Sequence, residues 1–262
     1  MSFDYNKTKY DPMRALIEQF INFDQELKTI YNQIDKSQPS QKMIDGFYRG
    51  ETEKQIRKGK GEWISEDGNH YKIGIWQNNC LQGKGLVLYC IYEQQKVSYY
   101  EGYYGTFDKG KPDGQGTLKK STKQIYEGIW KNGKMNGKGS IYIENSYYCK
   151  ATFENNQFQG YGEIESKDAN NYWKMIGNFI DKNNFNGEIF YKEGRYKGPA
   201  IYHQNSWQMH GNGTFIWQDG SYYNGKFSYN QRHGFAVSKY GKEGQEEMFW
   251  KDDKKYQPVK HN

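Results

Sequence analysis

One spacing governs this chain. A small residue is followed nine positions later by a Gly-x-Gly pair or its equivalent, eight times between Gly50 and Ala236. The regular copies recur every 23 or 24 residues. Self-similarity at such a period marks a repeat architecture, in which each unit is one supersecondary element that buries its surface against its neighbours. The anchors are Gly50, Gly74, Gly105, Gly128, Ala151, Gly177, a displaced copy near Gly198, and Gly225. Their partners are Gly59/Gly61, Gly83/Gly85, Gly114/Gly116, Gly137/Gly139, Gly160/Gly162, Asn186/Glu188, Gly211/Gly213 and Gly234/Ala236.

Each copy reads as a β-hairpin. Tyr126, Gly128 and Trp130 alternate along one strand, and Gly137, Gly139 and Ile141 along the next. Asn132-Gly133 between them is a hairpin turn, because both residues accept positive φ. Pairing Lys131 with Asn136 around a four-residue loop places Trp130 across Gly137, so an aromatic ring covers a residue without a side chain. Aromatic residues recur two positions past the anchors, at Trp76, Phe107, Trp130, Phe153, Phe179 and Phe227. The opposite parity is polar, as at Glu127, Lys131, Lys138 and Ser140. One face is thus aromatic and glycine-rich, the other hydrophilic.

The fold class expected is all-β: one elongated antiparallel sheet of about eight hairpin repeats, preceded by an amphipathic helix. Sixteen strands would extend roughly 75–80 Å before twist. Met248-Phe249-Trp250 reads as a final half-copy with Trp250 at the aromatic position. Residues 1–45 form the helix and linker, 46–250 the repeat sheet and 251–262 a polar tail. Asn186 and Glu188 stand where glycines belong, and Gly211 follows Gly198 by thirteen positions; these two copies are expected to bend or bulge the sheet. An insertion of about eight residues within Leu86–Tyr104 is read as a longer hairpin, projecting as an arm or forming a local bulge.

The motif from Tyr126 to Gly139, Y-E-G-x-W-x-N-G-K-x-x-G-x-G, resembles the membrane occupation and recognition nexus (MORN) repeat. The resemblance covers about residues 46–250. It implies a non-catalytic scaffold or spacer, since repeats of this kind occur in radial spoke heads of cilia and in cytoskeletal rings. The partners it implies are other proteins of a large assembly, in a cytoplasmic, cytoskeletal and ciliary axonemal setting. It also implies an alternative, a peripheral tether on anionic phosphoinositides.

Residues 11–35 read as one amphipathic helix of about 24 residues. Asp11 is a candidate N-cap and Pro12 suits the first turn. Met13, Leu16, Phe20, Phe23, Leu27, Ile30 and Ile34 fall at coiled-coil spacing. Two readings stand side by side. The helix docks on the first hairpins, or the seam takes a partner helix or a second copy. Ser37–Lys42, with Pro39, reads as a linker.

Net charge is +6 overall, but residues 106–138 alone carry +5. Lys109, Lys111, Lys119, Lys120, Lys123, Lys131, Lys134 and Lys138 there outnumber Asp108, Asp113 and Glu127. That is a candidate patch for an acidic partner or an anionic lipid surface, set against a solvated row of hairpin lysines. Nucleic acid is not expected, because parity commits the aromatics to the glycine face rather than to a stacking platform.

No cofactor and no catalysis are expected. Residues 128–134 nearly spell a phosphate-binding loop, but Met135 stands where a magnesium-binding hydroxyl is needed. His210 and His233 occupy equivalent repeat positions, about 10 Å apart in a sheet and too far to share a metal. Cys80, Cys90 and Cys149 show no paired spacing, which with no signal peptide suits reduced thiols.

Overall fold

The computed structural model describes residues 11–94, 96–168, 172–241 and 244–256. The chain divides into two compact units, Met1–Tyr142 and Ile143–Asn262. Each is built from antiparallel hairpins in chain order, so the all-β, hairpin-by-hairpin fold read from the repeat is what the chain adopts.

In the first unit the anchors and the second glycines of each pair line up across the sheet. Gly50 pairs with Gly61, then Gly74, Gly85, Gly105, Gly116 and Gly128 in turn. The second unit has the same column: Gly162, Gly177, Gly187 and Gly198 pair in sequence, as do Gly213, Gly225 and Ala236. A ring from the neighbouring residue pair fills the space. Tyr103 lies over Gly116, Tyr126 over Gly139 and Tyr196 over Gly213. Each buried phenol then donates to a backbone carbonyl three residues on: Tyr103 to Thr106, Tyr126 to Ile129, Tyr196 to Pro199 and Tyr223 to Lys226. The second glycine of each pair is therefore set by crowding. The first is set by the backbone, as at Gly59 (φ 61°) and Gly83 (φ 78°), where the strand bulges and its register shifts.

That bulge corrects the expected pairing of the aromatics. Strands Gln124–Lys131 and Lys134–Ile143 leave a two-residue turn at Asn132-Gly133, not a four-residue loop. Trp130 stands opposite Gly114 of the preceding repeat, and Gly137 lies against Ile129. Gly59 with Trp76, Gly83 with Phe107 and Gly211 with Phe227 repeat the arrangement. Aromatic cover over glycine is real at both positions: the tyrosine over the second glycine closes each hairpin, and the Trp or Phe across the first glycine links successive repeats. Edge-to-face ring pairs such as Tyr103–Trp130, with centroids 5.0 Å apart, continue that link.

The two irregular copies are explained in the same terms. Gly187, not the Asn186/Glu188 pair, occupies the column. Phe179 pairs with Phe185 in unbroken register, so this hairpin has no bulge and is one residue shorter. The copy at Gly198 instead lengthens its arms. His203 pairs with Ser206 at its turn, and Trp207 packs on Phe179 and Phe185. Trp250 pairs with Gly234, completing the final half-copy, and Lys254–Tyr256, placed in the tail by sequence, adds a short strand beyond it.

Turns are two residues long with both φ positive at Asn78-Asn79, Asn155-Asn156, Tyr229-Asn230 and Asp252-Asp253. They are also tied to the repeat before them. Oδ1 of Asn79 accepts the N–H of Arg57, that of Asn230 the N–H of Met209, and that of Asp253 the N–H of Arg232. Where the second turn residue is glycine, the acceptor comes from the other side. Gln82 accepts from Lys109 N–H, and Asp113 from Asn132 N–H.

The N-terminal helix is two helices: α1, Asp11–Asn22, and α2, Gln25–Gln33. Asp24 breaks the expected single helix because its side chain caps α2, accepting the Leu27 N–H at 3.0 Å. The Phe23 and Asp24 N–H groups close α1 onto the carbonyls of Phe20 and Ile21. The side chains of Asp11 and Pro12, a cap assignment made from sequence, lie outside the described residues. Lys84 anchors Asp24 from the sheet at 2.5 Å. Burial pushes the Asp24 carboxyl up, but Lys84 and the Leu27 N–H outweigh it, and it sits below the usual carboxylate range. A folded-state value below the unfolded one contributes stability at neutral pH that is lost as pH falls through it. Asp24→Asn should therefore lower Tm at neutral pH, with the gap to wild type closing in acid. A gap independent of pH would show that the ion pair contributes nothing.

Candidate interaction surfaces

Both helices pack on the sheet face opposite the tyrosine–glycine column. Met13, Leu16, Ile17, Phe20, Ile21, Leu27 and Ile34 meet Ile64, Tyr71, Ile73, Leu86, Leu88 and Cys90 in one core. This is the face read from sequence as hydrophilic. In the first unit it is apolar, and Leu86, Leu88 and Cys90 are buried on it beneath the helices. The insertion in Leu86–Tyr104 does not project as a free arm. It lengthens strands Cys80–Glu93 and Lys96–Asp108 into the platform beneath α1. Phe20 makes edge contacts with Tyr100 and Tyr104, and its ring lies over Gly102, where a Cβ would collide with it.

Of the seven seam positions, Met13, Leu16, Phe20, Leu27, Ile30 and Ile34 are thus buried by the chain's own fold. The docked reading of the helix is the one the structure adopts. A seam open to a partner helix is not present, because the sheet occupies it. Phe23 alone remains 57% exposed, at the break between the helices, with the Lys119 ammonium 3.2 Å above its ring. Ser37–Lys42 is not wholly a linker: Gln41–Met43 is a strand paired with Gly46–Tyr48.

The eight lysines do not form one patch. Lys109 stands in a two-residue turn and Lys111, Lys131 and Lys134 flank such turns, all at one end of their strands. Lys119, Lys120 and Lys123 lie at the other end, about 30 Å away along the ten-residue strand Lys111–Lys120. Lys138 stands between, exposed in mid-strand. Lys119 is engaged by Phe23, and burial pulls its ammonium below the usual lysine range. Lys120 bonds Glu101 at 2.9 Å, which holds its own value above that range. The four turn lysines remain exposed, which is the solvated-row arrangement.

The second unit has an open groove on the corresponding polar face, lined by Tyr161, Ile176, Asn178, Asn186, Glu188 and Lys197. Glu188 and Lys197 face each other at 3.7 Å within it. Elsewhere in that unit, His203 and His210 both pack against the Tyr229 ring, and His233 approaches Asp252 at 3.5 Å. Among the described residues no group of three or more His, Cys, Asp or Glu side chains could hold a metal ion. All three cysteines are free. Cys90 and Cys149 are buried, their thiols pushed up to about 11 and about 12 by desolvation. No described helix is long and apolar enough to cross a membrane.

The family model for the MORN repeat matches five stretches of this chain, residues 103–123, 126–145, 149–169, 208–222 and 223–244. The hairpins before residue 103 lie outside the matches yet carry the same glycine column. No curated protein matches the chain. MORN repeats are a scaffold type that generally mediates protein–protein or membrane interactions.

Proposed function

We propose that this chain is a non-catalytic scaffold that positions other proteins in a large assembly. One observation carries the reading. The residues that distinguish the repeat are consumed by the sheet: glycines in the column, tyrosines over them, and turn amides bonded to the preceding repeat. What is left to face a partner is a regular series of turns and polar strand faces, suited to holding neighbours at fixed spacing. A cytoskeletal and specifically ciliary axonemal setting rests on the resemblance of the repeats to those of spoke heads and cytoskeletal rings.

Binding to anionic phosphoinositides is the weaker reading. Seven of its eight lysines are divided between opposite ends of their strands with Lys138 between them, and Lys119 and Lys120 already have partners. The test is fractionation of source cells into detergent-insoluble cytoskeleton, membranes and cytosol, followed by cross-linking of the native protein. Retention with the detergent-insoluble fraction, cross-linked to a constant set of neighbours, is expected. Recovery in membranes, released by salt and by charge reversal of Lys109, Lys111, Lys131 and Lys134, would replace the scaffold with the tether.

A further inference from the structure

The groove on the polar face of the second unit lies where the repeat is broken. In a regular hairpin the residue after the anchor sits at the bulge and lies against the first glycine of the pair, as Ile75 does on Gly83 and Thr106 on Gly114. The hairpin of strands Trp173–Phe179 and Asn184–Tyr191 has no bulge, so Asn178 stands squarely opposite Asn186. Their row continues across the neighbouring strands, with Tyr161 opposite Asn178 and Pro199 opposite Asn186. Lys197 pairs with Thr214, which brings Asn212 level with Pro199 on the strand beyond. In the first unit the same row carries Lys60 opposite Ile75, Lys84 opposite Thr106 and Gln115 opposite Ile129. Short carboxamides in place of these longer side chains leave an open groove of about 710 Å³. That volume is in the range of small-ligand sites.

The lining of the groove is unsatisfied and neutral. Among the described residues the side chains of Asn178, Asn186 and Asn212 have no partner within the chain, whereas Asn79, Asn184, Asn224 and Asn230 are all bonded. Tyr161 is 71% exposed, more than any other described tyrosine. Glu188 and Lys197 balance each other, so the lining carries no net charge.

We propose that this groove binds a neutral oligosaccharide. A carboxamide presents donors and an acceptor side by side, and neighbouring sugar hydroxyls can answer both. The exposed Tyr161 ring is a flat apolar surface with a polar tip, on which the C–H face of a pyranose can stack. A neutral lining gives no electrostatic pull on a phosphate-rich or acidic ligand. Adjacent strands are about 4.8 Å apart, which sets Asn186 one step from Asn178 and Asn212 about 10 Å further on. An extended chain whose units are about one strand spacing long therefore meets Tyr161, Asn178, Asn186, Pro199 and Asn212 in turn. An extended peptide is served less well, because Ile176 and Pro199 are the apolar side chains of the lining apart from Tyr161 and the row crosses the sheet face, away from any strand edge. The inference goes beyond the scaffold reading and does not rest on it.

Affinity electrophoresis of the full chain through native gels cast with hydroxyethyl cellulose, galactomannan, starch or glycol chitin tests it. Retardation by at least one of these neutral polysaccharides, unchanged by added salt, is expected. Tyr161→Ala should weaken that binding about tenfold, and Asn178→Ala with Asn186→Ala by at least as much. Tyr161→Phe keeps the ring and should keep most of the binding. Lys138→Ala, at the position equivalent to Tyr161 in a regular repeat, should leave it unchanged. All four positions are exposed, so Tm should hold in every variant. Retardation by none of the polysaccharides would overturn the inference. So would retardation by heparin alone that salt abolishes, or retardation that Tyr161→Ala leaves intact. If a random-peptide display library is enriched by wild type and not by Tyr161→Ala, with no sugar bound, the groove takes an extended peptide and the inference fails.

Discussion

Gly116→Ala should destabilise the first unit by about 3 kcal/mol, an overpacking effect at the upper end of its usual range. The new Cβ would lie 2.6 Å from Cε2 of Tyr103, a buried ring wedged between Phe107 and Trp130. Tyr103 has nowhere to go, because its hydroxyl is bonded to the Thr106 carbonyl and its edges meet both neighbours. The comparison is Gly244→Ala, where a Cβ meets nothing within 4 Å and the change should stay within about 0.5 kcal/mol. Chemical denaturation of the two variants decides the matter. Equal midpoints would mean that the column is not held by crowding.

Phe20→Ala should cost about 3–5 kcal/mol, in the range for emptying a buried aromatic site. The loss should be local to the helices and the hairpin beneath them. Phe20 seats α1 on Tyr100, Gly102 and Tyr104, and Cys90 lies in the same core. The cysteines report on this directly. In wild type, Cys90 and Cys149 should both resist alkylation, being buried with raised thiol values. In Phe20→Ala, Cys90 should become reactive while Cys149, in the second unit, stays protected. If both open together, the helices stabilise more than their own unit. If neither opens, α1 is not what covers that face.

Much of the fold was legible from spacing alone. Period, hairpin units, the turn at Asn132-Gly133 and the half-copy ending at Trp250 all follow from residue type and alternation. The pairing of rings with glycines was misread because a bulge adds a residue that simple alternation does not count. The first glycine of each pair is the trace of that bulge, since only a demand for left-handed backbone explains it beside the crowded second one. Gly187 escaped notice for the converse reason: the hairpin without a bulge shifts parity by one.

The docking face was also readable in principle. Leu86 to Tyr92 is apolar at both parities, so the strand offers an apolar surface on the face opposite the glycine column as well. Gly102 falls outside the repeat spacing and is explained only by the Phe20 ring above it. Neither the Asp24 break nor the separation of the lysines could be read so simply. The first depends on Lys84, sixty positions away, and the second on which end of a strand each residue reaches.

The ties between turns and earlier strands all point one way. Asn79 reaches back to Arg57, Asn230 to Met209 and Asp253 to Arg232. A ribosome delivers the chain in the same order. Each hairpin therefore emerges beside a finished template that already offers it a hydrogen-bonding edge and a ring to stack upon, while its own successor is not yet made. Growth in chain order needs only local search at every step, and the two helices emerge ahead of the hairpins they cover.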